Sequence, residues 1–212
     1  MNELVVRNRQ RVRCVNLRLL RQIAAKLLTD LLPANQFEVG VYLVSAPAIA
    51  RLNETYLGHA GSTDVITFAY GQAPAPDRAN GGKISPKQNF AHCAHEPDVA
   101  ACSPGFSRSD CHPQKLLRCQ QMLPPQGGTT CREVHGEIFI SVEDALRQAR
   151  QFRTSWQAEV VRYVVHGWLH LNGFDDTTPR ARKVMKRQEN RLVGQIRRLF
   201  PIHQLGQRNS RG

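Results

Sequence analysis

Between residues 72 and 132 the chain holds eight of its twelve prolines and five of its six cysteines, with no sustained apolar periodicity. Proline fixes φ and removes a backbone donor, so a stretch this rich in it extends neither a helix nor a central strand. A compact domain seldom carries so long a structureless loop of its own. The segment therefore reads as a flexible, Cys/Pro-rich insertion. Whatever folds must be assembled from two separated blocks, 1–71 and 133–202, with a basic tail at 203–212. The insertion's Cys93, Cys102, Cys111, Cys119 and Cys131, with His92, His95 and His112, contain no CxxC pair. Incidental thiols, rather than a structural zinc knuckle, are the expectation.

The flanking blocks carry clear periods. Asn16 can cap a helix with Leu20, Ile23, Ala24, Leu27, Leu28 and Leu31 on one face, stopped by Pro33. Phe37, Val39, Val41 and Leu43 alternate as a half-buried strand should. Ser45 and Pro47 open a short helix reaching about Tyr56, and the β-branched, aromatic stretch 64–70 reads as a strand. Order resumes with a strand at 136–140, and Ser141 caps a helix bearing Glu143 and Asp144 in its first turn. Thr154 and Gln157 suit a capping box for the next helix, which carries Val160, Val161, Val164, Val165, Trp168 and Leu169 and ends at Asn172-Gly173. A last helix runs from Pro179 to about Phe200, with Val184, Met185, Leu192, Ile196 and Leu199 inward. Strands and helices that do not alternate regularly predict an α+β fold around one small mixed sheet.

Charge narrows the partner. Lys and Arg outnumber Asp and Glu by 29 to 17 in the 212 residues, a net +12. Such a surplus suits a polyanion, nucleic acid first and an anionic membrane second. The N-terminal MNELVVRNRQRVRC has no apolar h-region, and no run of about 18 apolar residues occurs anywhere. A cytoplasmic protein with reduced thiols and no membrane anchor is expected.

The chemistry concentrates in HGWLHLNGFDD, residues 166–176. His166 and His170 are four apart, so their rings leave one helix face a turn apart and can share a metal. Gly173 lets the chain turn and bring Asp175 and Asp176 back toward the same point. Three protein ligands with a fourth position open to water is the catalytic zinc arrangement. The plainer alternative is two core histidines bonded to backbone oxygens. Zinc peptidases place a general-base glutamate directly after the first histidine, whereas this chain has Gly167. Peptide hydrolysis is therefore disfavoured. An open-site metal in a basic protein points to hydrolysis of nucleic acid.

These residues resemble the signature of the YbeY family of bacterial rRNA-maturation endoribonucleases, H-G-x-L-H-L-x-G-[YF]-D-H, at every specified position but the last. LNETYLGHAGSTDVITF (52–68) resembles the family's L-N-x-x-Y-R…T-D-V-L-S-F block, and GEIFIS (136–141) its G-D-I-x-I-S strand. The similarity spans about 1–71 and 134–200. It implies a zincin-like α+β domain with one zinc per chain and no small-molecule cofactor. The implied activity is single-strand-selective RNA cleavage in 16S rRNA 3′-end maturation and ribosome quality control, with the small ribosomal subunit as partner. By position, His166 and His170 take the first two zinc-ligand places and Asp176 the third, where the family has histidine. Thr63 and Asp64 lie beside the site in the family pattern, which makes Asp64, with His166, a candidate catalytic residue; a turn opening a strand explains them equally well.

Two departures keep alternatives open. A carboxylate is a competent zinc ligand, but Asp175 also lies within reach, with Asp176 then capping the next helix. Leu57 stands where the family has an arginine suited to a phosphate. Arg51, His59 or a basic insertion residue is a candidate to replace it. The loss of that cation supports a second reading, an RNA-binding ribosome-assembly factor that keeps the metal site without cleaving. A metallopeptidase is the third. Trp168 is expected in the core rather than as a base-stacking platform.

Overall fold

Alternating apolar residues fix the strand registers. In the computed structural model, which describes residues 2–31, 34–70, 90–92 and 133–206, Gln36–Val44 (β2) pairs in parallel with Glu133–Ser141 (β5), setting Val41 opposite Ile138 and Leu43 opposite Ile140. A slip of one residue would turn this whole apolar set to the other face. Asn2–Asn8 (β1) lies parallel to β2, Val65–Ala69 (β3) antiparallel to β5, and Phe90–His92 (β4) antiparallel to β3. The sheet order is β1-β2-β5-β3-β4. The α+β fold with one small mixed sheet is thus observed.

Leu17–Lys26 (α1), Val142–Gln151 (α3), Trp156–Leu171 (α4) and Pro179–Leu199 (α5) supply the main core together with the sheet. Leu20, Ile23, Val161, Val165, Leu169, Leu192 and Ile196 are buried completely or nearly so, each worth about 1.5–3 kcal/mol of apolar transfer. Ala46–Leu52 (α2) helps cover a smaller cluster of Val44, Ile49, Ile66 and Phe68. The described residues fall within one compact unit, and no helix among them is long and apolar enough to cross a membrane.

Several expectations hold locally. Asn16 accepts from Leu19 N at 3.0 Å, Ser141 from Asp144 N at 3.2 Å, and Trp168 is buried. Others change. The N-terminal strand β1 was not legible, because only Leu4 of its seven residues is buried and pairing with β2 decides it. Ser155, not a Thr154/Gln157 box, caps α4, accepting from Ala158 N at 3.2 Å, while Thr154 donates to Glu159 at 2.5 Å. Leu199 is 54% exposed, while Ile196 before it is buried and Phe200 after it packs on the core. Part of the expected tail at 203–212 is instead structured: Ile202–Gly206 forms a 3-10 turn whose Leu205 is fully buried and whose Leu205 carbonyl accepts from Asn16 N at 2.9 Å. The expected insertion lies outside the described residues except for β4, which pairs with β3. Its cysteines, His95 and His112 are outside them as well.

Candidate metal centre

The position between the two histidine turns decides how closely α4 can lie on the sheet. A Cβ at Gly167 would stand 2.6 Å from Ile138 Cγ2 and 3.0 Å from Thr67 Oγ1. Glycine is required there by packing against β3 and β5. A glutamate at 167, the peptidase general base, has no room.

His166 and His170 leave α4 with their Nε2 atoms 2.9 Å apart and their ring centroids separated by 4.6 Å. After Leu171, Asn172 ends the helix and Gly173 takes φ +81°, a left-handed conformation that glycine adopts at little cost. The turn brings the Phe174 carbonyl to 3.0 Å from His170 Nδ1. Two residues on, Asp176 Oδ2 lies 4.0 Å from each histidine Nε2. The three expected residues are thereby brought together, with ligand atoms within 4.8 Å of one another. Asp175 is turned away: its carboxylate accepts from Thr177 N at 3.1 Å and from the Thr177 hydroxyl, an interaction that holds its pKa below the ordinary carboxylate value. The α5 cap is Thr178, not Asp176.

The partners of the outer ring nitrogens assign the tautomers. A carbonyl only accepts, so His170 Nδ1 carries a hydrogen. His166 Nδ1 faces Glu189 Oε2 at 3.1 Å. Burial pushes the Glu189 pKa up, but the His166 hydrogen bond and the nearby Lys186 and Arg162 charges outweigh it and bring it to about 2. Glu189 is therefore an anionic acceptor, and His166 Nδ1 also carries a hydrogen. Burial and the neighbouring His166 pull His170 down to about 4, which keeps it neutral near pH 7. The two Nε2 atoms face each other across 2.9 Å with a carboxylate oxygen near both, so three potential donor atoms converge on one point. A triangle with sides 2.9, 4.0 and 4.0 Å has its equidistant point about 2.1 Å from each corner, the bond length zinc takes to nitrogen and carboxylate oxygen. The donor set fits a zinc-like ion.

Glu189 was missed by sequence reasoning. It is 4% exposed and bonds His166, Arg162 (2.5 Å) and Lys186 (3.1 Å). The signal was present: it is the lone acid among eight basic residues in α5. Ligating histidines commonly rest on such a carboxylate, which fixes the ring and its tautomer. Asp64, at the start of β3, is also buried. Burial raises its pKa to about 6 against the opposing pull of His166 and of donors from Thr63 (3.2 Å) and Val65 N (3.0 Å). Leu57 ends the turn after α2 and packs on the smaller apolar cluster, while Arg51 and His59 are exposed.

A family model described as Endoribonuclease YbeY matches residues 5–197, most of the chain. The chain belongs to the YbeY family. A YbeY endoribonuclease of Moorella thermoacetica is 33% identical over 162 residues, 76% of this chain and 74% of that relative. One from Salinibacter ruber is 23% identical over 158 residues, 74% of this chain and 69% of the relative. A YbeY endoribonuclease of Chlorobaculum parvum reaches 40% over only 65 residues, and the chain spans about half that relative's length. A solution structure of a Thermotoga maritima protein resembles the chain with a TM-score of 0.42 and 18% identity, covering 95% of each chain.

Proposed function

We propose that this YbeY-family chain is a zinc-dependent endoribonuclease that cuts single-stranded RNA. Its place would be in the cytoplasm, in 16S rRNA 3′-end maturation and quality control of the small ribosomal subunit. The observation that carries the metal half of the reading is the convergence of the His166 and His170 Nε2 atoms with the Asp176 carboxylate, within 4.8 Å of one another. His166, His170 and Asp176 would hold the ion. When bound, zinc supplies Lewis-acid polarisation of a phosphoryl oxygen and makes water acidic enough to attack near neutral pH.

The chain's own residues do the rest. Glu189 and the Phe174 carbonyl hold the two rings in the ligating tautomer. Asp64, with a pKa raised by burial to about 6, suits proton transfer near neutrality and is electrostatically coupled to His166. The Gly167 contact with β5 and β3 holds the helix, and so both ligands, against the sheet.

The test is metal analysis of the purified chain together with cleavage of a single-stranded RNA oligomer, with and without chelator. One zinc per chain and chelator-sensitive cleavage are expected. Leu57, apolar where the family carries arginine, favours the second reading. RNA bound but left uncut by the zinc-loaded protein would replace the nuclease with a non-cleaving assembly factor.

A further inference from the structure

α5 carries eight of the chain's 29 basic residues, and its single acid, Glu189, is buried. Its cations divide by direction. Arg182 Nε donates to the Asp176 carbonyl at 3.2 Å, and Lys186 holds Glu189, so these two face the metal centre. Arg180, Lys183, Arg187, Arg191, Arg197 and Arg198 are exposed, and the spacings of the first four align them along one face of the helix. Among the described residues Arg180, Lys183, Arg191 and Arg198 form no ion pair. Arg180 and Lys183, like charges three residues apart, repel, which favours an anion at this end of the face. From Arg180 to Arg198 it extends about 27 Å, starting within a turn of the residue that anchors the Asp176 loop.

Taking the RNA-directed reading above as its premise, we infer that the outer face of α5 is the track on which single-stranded RNA lies as it enters the metal centre. Arg180, Lys183, Arg187 and Arg191 would contact successive phosphates. An anionic membrane fits the face less well. A helix that lies in a lipid surface needs an apolar side to insert, and the apolar side of α5, Met185, Leu192, Val193 and Ile196, is buried in the core. Arg182 and Lys186 tie the track to the site: the helix that offers the phosphate contacts also fixes the Asp176 loop and the carboxylate behind His166.

The test uses the full chain and two charge-matched variants. One carries Arg180→Gln, Lys183→Gln, Arg187→Gln and Arg191→Gln. The other carries Arg11→Gln, Arg13→Gln, Arg18→Gln and Arg21→Gln, which are exposed around the start of α1. Binding of a fluorescent single-stranded RNA is measured by anisotropy as a function of salt, with thermal melting as the check on folding. The α5 variant should lose about 3 from the slope of log affinity against log salt, while the control keeps the parent slope. Equal losses in both variants, or none in the α5 variant, overturn the inference. Co-sedimentation with phosphatidylserine vesicles is the second arm: loss of vesicle binding with RNA affinity unchanged also overturns it. Because binding is read without cleavage, an intact track on an uncleaving protein would sink the nuclease reading alone.

Discussion

Asp64 and Glu189 are both buried carboxylates acting on His166, yet their pKa values move apart, to about 6 and about 2. Asp64 has the His166 charge, a hydroxyl and a backbone N–H, which together do not compensate for lost water. Glu189 has Arg162, Lys186 and the His166 N–H. Burial raises both; the partners decide the net sign. The pair gives the centre one group able to exchange protons near neutral pH and one that stays ionised to fix a ring.

Glu189→Gln gives the largest expected break in this contrast. It keeps the shape but leaves Arg162 and Lys186 without their buried counter-charge, at a cost of about 3–5 kcal/mol in urea unfolding of the metal-free protein at pH 7. Zinc affinity should fall about 10–100-fold. An unchanged midpoint and an unchanged zinc titration would make Glu189 a bystander.

Asp64→Asn should act with the opposite sign. In the fold Asp64 keeps its proton to about 6, whereas the unfolded chain releases it near 3.8, so stability of the metal-free protein falls as pH rises through that window. The drop amounts to about 3 kcal/mol. The variant should lose that slope and gain up to about the same amount at pH 8, while RNA cleavage disappears. Glu189 gives the mirror image, with about 3 kcal/mol lost as pH falls from 4.5 to 2. Unfolding series at fixed pH values separate the two, and a parent slope retained by Asp64→Asn would assign the titration to another group.

Gly167→Ala probes the packing that holds His166 where both carboxylates act on it. The added Cβ meets Ile138 at 2.6 Å, so a loss of about 1–3 kcal/mol is expected. A neutral effect in thermal unfolding would show that α4 can lift from the sheet without cost. The smallest effect belongs to Asp175→Ala, which removes an exposed carboxylate bonded to Thr177. A change of about 0.5–1 kcal/mol with full zinc stoichiometry is expected, whereas Asp176→Ala should lose zinc and Asp176→His should retain it. Zinc lost by Asp175→Ala and kept by Asp176→Ala would move the third ligand to Asp175.

The histidine pair, the left-handed Gly173 and the returning acids were legible because helical spacing and glycine's conformational freedom are local properties. So were the Asn16 and Ser141 caps and the alternating strand β2, whose signals lie within a few residues. Strand β1, the docking of Leu205 and the support of His166 by Glu189, 23 residues away, were not. None is encoded by a periodicity: each exists only because another element supplies the missing partner. Asp175 and Asp176 show the same boundary within two neighbouring residues. Sequence alone establishes that an acid follows the turn; the Thr177 hydrogen bonds and the path from Gly173 decide which carboxylate turns toward the histidines.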